Sequence, residues 1–511
     1  MTGKERGHRR PDDARGGSGR RSPLRVGLAV LGGLALAGGA AGVLLVSGGG
    51  SNRAGESSRS VSPRAPDGLP AEELAEQGEV TEERLEALER AREQGTLGLV
   101  EPLAVKAASG WRGERVWRSG TDDWEPAVAG RPGSSRVYML TTRYGGKPGC
   151  KRSCPDPAIR LRASQDGGRH WGRDRYLCRC RGSKNQYDPE IETSADGSLY
   201  AAWLDGFTPG VTFARSDDGG RTWTKPVHVD GRLAWSDKPI VAISDDGKDV
   251  YIAFNGPSKG DAYVAVSHDR GNHFGQPVPA QVNNRYHFAG GGFVAPDGTV
   301  AFGQTSYNQD STGGVRVLAT TSVDGGRTWR NVQVDRMAKQ PDCVSKGCPK
   351  DFYGPQAAMA GDSRGRLLIL YNGASHRNGN QRVYARRSLD GGVSWSAPKR
   401  ISPRHADAAF PAAIGAGAGD FRVWYMDDRR GSNDRWNVWF RRSTDGGRAW
   451  SKSVRISDAS GGPAYIRPSG FLQPYGDYGE LAIIQHDQTF AVWGEGVSYR
   501  GPGGTWYNRT R

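Results

Sequence analysis

An eight-residue signature, Ser-x-Asp-x-Gly-x-x-Trp, recurs six times along this 511-residue chain and constrains its fold more than any other feature. The copies occupy residues 164–171, 216–223, 267–274, 322–329, 388–395 and 443–450, and only the third replaces Trp with Phe. Ser and Asp oxygens accept backbone N–H groups in tight turns, and glycine permits positive φ. The copies start 51 to 66 residues apart, which is the length of a four-stranded repeat unit.

A second repeat precedes each turn and begins the first strand of a unit. Five copies carry a proline: Glu125-Pro126, Asp188-Pro189, Lys238-Pro239, Gly354-Pro355 and Phe410-Pro411. The residues at 291–293 and 473–478 hold the matching places in the fourth and seventh units. An apolar strand and then an aromatic-rich strand follow each start, so the pattern predicts an all-β fold.

Seven first strands with six turn signatures predict a β-propeller of seven blades, with a six-bladed ring and terminal extensions as the alternative. The last unit, from residue 473, is too short for four ordinary strands. We therefore expect residues 114–118, just before the first unit, to supply its outer strand. This exchange would close the ring and remove exposed sheet edges.

The N-terminal part predicts attachment to a membrane. Residues 1–25 form a basic tail, and residues 26–46 are an uncharged apolar run long enough to span a bilayer. Arginines precede this run closely, which predicts a cytoplasmic N-terminus and an extracytoplasmic propeller at 97–511. A flexible linker at 47–69 and a short charged helix at 70–96 lie between them. A cleaved signal peptide is the competing interpretation.

The six cysteines all follow the apolar run, so an even number on the exported side predicts disulfides. Cys178 and Cys180 are expected to bond elsewhere, most simply to Cys150 and Cys154, and Cys343 to Cys348. The sequence has no Cys-x-x-Cys pair and no histidine at ligand spacing, so we expect neither a metal nor another cofactor.

The six turns resemble the Asp-box, or BNR repeat, of the sialidase (neuraminidase) superfamily, and the similarity extends over residues 97–511. Members bind a sialic acid carboxylate with three arginines and use a Tyr nucleophile, assisted by a Glu, with an Asp as acid/base. The resemblance implies Arg143 and Arg429, or Arg430, as counterparts of these arginines. It implies Tyr478 or Tyr475 near Glu480 as the nucleophile, and Asp156 as an acid/base. The Arg-Ile-Pro motif of the family is replaced here by Trp124-Glu125-Pro126.

The residues themselves point to the start of the innermost strands, because these strands line the channel of a propeller and converge at one mouth. Glu125, Asp188 and Asp477 are the acidic candidates there, with Glu190 as an alternative to Asp188 in an acid–base pair. The competing interpretation is that such acids hold the blade starts together through backbone N–H groups.

These observations favour an extracytoplasmic, membrane-anchored, sialidase-like propeller that acts on glycans, with exo-sialidase-type hydrolysis as one hypothesis. The alternative is a non-catalytic propeller that binds a cell-surface polymer or protein. A polysaccharide lyase on the same scaffold is a third. The formal net charge of +15 favours anionic polymers as partners. No nucleic-acid motif is present, so nucleic acid is not expected.

Overall fold

The computed structural model describes residues 86, 88–95, 107–117, 119–145, 154–180, 182–206, 210–229, 239–255, 260–281, 283–308, 313–339, 354–432, 435–457, 479–496 and 502–511. All of them belong to one compact unit, Arg64–Arg511. The segments at 1–25, 26–46 and 47–69, most of 70–96, and the candidates Tyr475, Asp477 and Tyr478 lie outside the described residues. No helix among the described residues is both long and apolar enough to cross a bilayer.

The chain folds into seven four-stranded antiparallel sheets. The inner to outer strands of the first three blades are β2 (Asp122–Gly130), β3 (Val137–Tyr144), β4 (Ala158–Ser164), β5 (Arg175–Tyr176); β6 (Gln186–Thr193), β7 (Leu199–Asp205), β8 (Val211–Ser216), β9 (Val227–Val229); and β10 (Ile240–Ile243), β11 (Val250–Asn255), β12 (Ala262–Ser267), β13 (Val278–Gln281).

The next three blades repeat this order. Their strands are β14 (Arg285–Val294), β15 (Val300–Asn308), β16 (Val315–Ser322), β17 (Arg330–Met337); β18 (Ala357–Gly361), β19 (Leu367–Gly373), β20 (Arg382–Ser388), β21 (Lys399–Arg400); and β22 (Ala408–Gly415), β23 (Phe421–Ser432), β24 (Arg435–Ser443), β25 (Val454–Arg455).

The seventh blade combines the two ends of the propeller. Strands β26 (Glu480–Ile484), β27 (Gln488–Gly496) and β28 (Gly503–Arg509) come from the C-terminal end, and a 3₁₀ turn (Gln485–Asp487) joins the first two. The outermost strand is β1 (Arg115–Trp117), in which Val116 pairs with Trp506. The prediction of seven blades, closed by the segment at 114–118, is therefore confirmed, and the six-bladed alternative is wrong.

A β-bulge interrupts the inner strand in at least four blades. The register shifts at Trp124/Ala127, Tyr187/Glu190, Gly290/Gly292 and Ala409/Ala412. The bulged residues have positive φ, near +50° to +64°, and they are Glu125, Asp188, Gly291 and Phe410. A bulge re-aims side chains and bends the strand, so three prolines of the sequence repeat, Pro126, Pro189 and Pro411, directly follow a bend in an inner strand.

Each Asp-box closes the turn between the third and fourth strands of its blade through one buried hydroxyl and one carboxylate. In the fifth blade, Ser388 Oγ donates to Asp390 Oδ1 (2.7 Å) and accepts the N–H of Gly392 (2.8 Å). Asp390 Oδ1 then accepts the N–H of Ser394 (3.0 Å). The five other copies repeat the Ser–Asp and Ser–Gly bonds at 2.7 to 3.0 Å. The signature therefore encodes the turn itself.

One disulfide differs from the expectation. Cys178 bonds Cys180 across a single intervening residue, so the prediction that both bond elsewhere is wrong. Their Cα atoms lie 5.1 Å apart, which is within the usual range for a disulfide. Cys154 is also disulfide-bonded. Cys150, Cys343 and Cys348 lie outside the described residues.

The end of the predicted charged helix packs on the propeller. Residues 88–93 are helical, and Gly95 has a φ of +64°, which is the left-handed conformation that ends many helices. Leu88 is fully buried, and Arg92 donates to the carbonyl of Gly145 at 2.9 Å. This segment is therefore a packing element of the domain.

Candidate functional site: the central channel and its mouth

The seven inner strands enclose a central cavity of about 310 Å³. Most of its lining residues are Ala, Gly, Val and Ile, because adjacent inner strands approach closely around the axis. Gly290 and Gly415 illustrate this constraint, since a Cβ atom on either would lie less than 2 Å from a neighbouring backbone oxygen. Glu190, Glu192 and Glu480 are the carboxylates that line the cavity from inner strands.

A carboxyl pair lies on the first two inner strands, just before the residues that line this cavity. Glu125 and Asp188 occupy equivalent bulges and are both largely buried. Glu125 Oε2 accepts the backbone N–H of Asp188 and the hydroxyl of Thr142, each at 3.0 Å. Burial, and the nearby carboxylate of Asp188 that hydrogen-bonds to it, raise the pKa of Glu125 well above its usual range. Burial and the neighbouring carboxylate therefore both favour the protonated form of Glu125.

A second set of carboxyl side chains, those of Glu190, Glu192 and Glu480, lines the channel itself. Glu480 of the seventh blade reaches the inner strand of the first, where its Oε2 accepts the N–H of Val128 at 2.6 Å. Burial, together with contact with Glu190, raises the pKa of Glu480 well above its usual range. Burial and Glu190 also raise the pKa of Glu192 to about 8.

Arg143 does not face the channel with a free guanidinium. Its Nε and Nη2 donate to Asp123 (2.6 and 3.0 Å), and its Nη1 donates to Asp174 (2.7 Å). The guanidinium also lies 5.1 Å from the ring centre of Trp117, on the strand that closes the ring. Burial lowers the pKa of Arg143, but Asp123 and Asp174 outweigh it and hold that pKa above its usual range. These contacts tie the first blade to the closing strand.

Arg429 is likewise engaged within its own blade. Its Nε and Nη2 pair with Asp427, and its Nη1 donates to Ser453 at 2.8 Å. Its guanidinium stacks 3.7 Å from the ring centre of Trp439. Its neighbour Arg430 is exposed. Asp156, in the first blade, accepts the N–H of Gly145 at 2.8 Å and precedes a cis proline.

Of the candidate residues, the structure thus brings Glu125 and Asp188 together and places Arg143 and Arg429 in separate ion pairs of the first and sixth blades. Glu192 was not among the candidates. The sequence could have indicated Glu192, because Glu190 and Glu192 are two residues apart on one strand. Their side chains therefore face the same side of the sheet. Among the described residues, no group of three His, Cys, Asp or Glu side chains is arranged to hold a metal ion.

Aromatic side chains accompany the carboxyl pair. Trp124, directly before Glu125, is half-buried, and its ring centre lies 5.8 Å from that of Tyr144. Tyr187, directly before Asp188, belongs to the same buried cluster. Aromatic faces with adjacent hydrogen-bonding groups suit the two faces of a sugar ring, one apolar and one bearing hydroxyls.

A family model described as a BNR repeat-like domain matches residues 282–499. No curated protein matches the chain. Solved structures do match. A protein of unknown function from Dyadobacter fermentans is 14% identical (TM-score 0.46) over 79% of this chain and 100% of that one. An ulvan lyase with a bound uronic-acid-containing saccharide is 12% identical (0.47) over 78% and 95%.

A further match is a mutant of the NanB sialidase from Streptococcus pneumoniae, which is 13% identical with a TM-score of 0.43 and covers 79% of this chain and 71% of that one. At such identities and TM-scores, these matches carry no argument about activity. The BNR match and the six Asp-boxes on a closed seven-bladed ring agree with one another. The chain is a seven-bladed β-propeller with six Asp-box turns, and its residues 282–499 are similar to a BNR repeat-like domain.

Proposed function

We propose that this protein is an extracytoplasmic, membrane-anchored propeller that binds a glycan at the mouth of its central channel. The observation that carries the proposal is the buried, hydrogen-bonded pair of Glu125 and Asp188 beside the half-buried Trp124. The carboxyl oxygens of such a pair can accept hydrogen bonds from sugar hydroxyls. The aromatic ring offers a flat apolar surface for the face of a pyranose.

The charge at this mouth favours a neutral or amino-bearing sugar. At least six carboxyl groups lie on or just above the channel wall: Glu125, Asp188, Glu190, Glu192, Asp245 and Glu480. Arg143 and Arg429 are both engaged by aspartates, so neither offers a free fork to a sugar carboxylate. Hydrolysis of sialosides is therefore the least supported form of glycan action for this site.

Hydrolysis of another glycan is the second candidate, and the raised pKa of Glu125 favours it. A general acid must hold its proton before it reacts, and burial beside Asp188 shifts the pKa of Glu125 in the direction that favours the protonated form. In this reaction Glu125 would protonate the leaving oxygen. Asp188, in hydrogen-bond contact with it, would help to hold the proton in place.

Two variants test both candidates on the full-length protein in a neutral detergent. Glu125→Gln and Asp188→Asn keep the size of each side chain and remove its ionisation. Glu89→Gln is the matched control, since Glu89 is an exposed acid of the helical segment. We expect binding to neutral or amino-bearing glycans on an array, weakened about tenfold in both mouth variants and unchanged in the control.

Release of sugar by the wild-type protein, lost in Glu125→Gln, would establish hydrolysis. Binding without release would establish the non-catalytic form. Equal glycan binding by wild type and both mouth variants would contradict the placement of the site. The membrane anchor at 26–46 is tested separately, by whether the propeller of intact cells is cleaved by an added protease.

A further inference from the structure

A second pocket, of about 630 Å³, lies on the outer rim between the first two blades. Strand β5 and the residues after it form one wall, and the end of the second Asp-box forms the other. We call it the rim pocket. Its cationic and aromatic lining residues are Arg160, Arg175, Arg179, Arg221, Lys225, Tyr176 and Trp223.

The rim pocket carries more positive than negative charge. Among the described residues that line it, Asp174 is the only carboxylate. Both oxygens of Asp174 are occupied, because they accept from Arg143 (2.7 Å), Arg162 (2.8 Å) and the indole of Trp117 (3.1 Å). Within the described part of the chain, no ion pair involves any of the four outer cations of the pocket, which are Arg175, Arg179, Arg221 and Lys225.

The base of the pocket holds a buried arginine, Arg160, with two guanidinium nitrogens that lack a hydrogen-bond partner among the described residues. Arg160 is 2% exposed, and these two nitrogens are its Nε and Nη1. Burial, together with the nearby Arg143, lowers the pKa of Arg160. Keeping a guanidinium buried without a full set of acceptors is costly, so an acceptor supplied from outside would relieve that cost.

An aromatic ring organises two of these cations. The guanidinium of Arg160 lies 3.7 Å from the ring centre of Tyr176, and that of Arg179 lies 5.3 Å from the same ring. Arg179 is also the single residue between Cys178 and Cys180, which are disulfide-bonded. The position of this arginine is therefore restricted before any ligand arrives, which lowers the entropic cost of binding.

We propose that the rim pocket binds the anionic groups of a polysaccharide, such as carboxylates or sulfates carried on successive sugars. Planar guanidinium forks bind both kinds of group through paired hydrogen bonds. The half-buried indole of Trp223 offers a face to the sugar ring that carries the charge. The site differs from the channel mouth in place and in sign of charge, so it stands whether or not the mouth binds a glycan.

The shape of the pocket favours a polysaccharide over a membrane or a nucleic acid. It is a concave site between two blades, with cations on both walls and one at its base. A flat lipid surface would meet the exposed Arg179, Arg221 and Lys225 but would not reach Arg160. A single sugar with a charged substituent fits a volume of this size.

The test compares binding of the full-length protein, in neutral detergent, to immobilised polygalacturonate, dextran sulfate and uncharged dextran. Arg179→Gln/Arg221→Gln removes two exposed cations from the pocket. The matched control, Arg327→Gln/Arg448→Gln, removes the residues equivalent to Arg221 from the fourth and sixth Asp-boxes, both of which are exposed. The two double variants therefore carry the same net charge.

We expect wild type and control to bind one or both charged polymers, and the pocket variant to bind at least about tenfold more weakly. The two polymers separate carboxylate from sulfate as the preferred group. Equal binding by the pocket variant and the control would overturn the proposal, as would failure of wild type to bind either polymer at low ionic strength. A loss in the pocket variant seen only with anionic lipid vesicles or duplex DNA would overturn it in favour of that partner.

Discussion

The pKa of a carboxyl group in this protein depends on where the group lies in the fold. Glu192 is partly open to the channel, but its pKa rises to about 8 because burial and Glu190 both disfavour its ionised form. Asp390, on an exposed turn, has a pKa of about 2 because the Ser394 hydroxyl and backbone N–H stabilise its ionised form. The two groups therefore affect stability at opposite ends of the pH range.

Glu192→Gln is expected to stabilise the protein at high pH and to have little effect at low pH. A glutamate has a pKa of about 4.3 when unfolded, so a folded pKa near 8 means that stability falls as pH rises between these values. The substitution should raise the free energy of unfolding at pH 8.5 by an amount on the order of 2 kcal/mol. Urea unfolding at pH 4.5 and 8.5 measures this difference.

Asp245→Asn serves as its control, because Asp245 is an exposed acid that lines the same cavity. We expect this variant to follow the wild-type pH profile. A Glu192→Gln variant with the same stability advantage at both pH values would contradict the assignment of the proton to Glu192.

The Asp-box is the element that the sequence describes most completely. Its Ser, Asp and Gly make the bonds that define the turn, so the residues that carry the pattern also carry the geometry. In the fourth copy, hydrogen bonds from Thr328 lower the pKa of Asp324 to about 2 in the same way. The repeated bonds indicate a structural role for the box.

Ser388→Ala is expected to destabilise the protein by about 1 kcal/mol, because the N–H of Gly392 and the carboxylate of Asp390 both lose a buried partner. Urea unfolding at neutral pH measures the change. Ser375→Ala, at an exposed serine of the same blade, should change stability by much less. Equal effects of the two substitutions would argue against the structural role of the box.

Asp390→Asn should destabilise the protein at pH 6 and lose that effect as pH falls. The folded pKa of Asp390 is about 2 and the unfolded value is about 3.9. Its contribution is therefore present above pH 4 and is lost as pH falls through 2. Melting temperatures of wild type and variant should converge between pH 4 and 2, and a constant difference across this range would contradict the low pKa.

At the scale of the whole molecule, the main structural feature is the closure of the ring, in which β1 completes the seventh blade. Trp117, on the closing strand, is 1% exposed, and its indole donates to Asp174 of the first blade. It packs in one cluster with Val128 and Tyr507, from the first and seventh blades. The two ends of the propeller are thus held together by a side chain as well as by backbone pairing.

Trp117→Ala is expected to cost about 3–5 kcal/mol, as a large cavity at a blade interface would. Thermal unfolding should remain a single transition at a lower temperature, because all blades depend on the closed ring. Trp395→Ala, at a half-buried Asp-box tryptophan of the fifth blade, is the control and should cost less. A variant of Trp117 as stable as wild type would show that the ring closes without it.

The features that could be predicted from the sequence are those encoded in its repeats. Contacts between residues far apart in the chain could not be predicted. The blade count followed from the Pro-led strands and the Asp-boxes, and the closing strand followed from the short last unit. The contact of Arg143 with Asp174 could not be predicted, because Asp174 lies 31 residues later in the connection before the outer strand and the pairing depends on the tertiary fold. The Cys178–Cys180 bond was missed because the local backbone bend between them is not visible in the spacing.

The most direct test of the account is a crystal structure of the full-length protein soaked with the neutral or amino-bearing glycan that binds best on the array. We predict one sugar ring against Trp124, with its hydroxyls bonded to Glu125 or Asp188. Density for the glycan elsewhere on the propeller, with an empty channel mouth, would contradict the account.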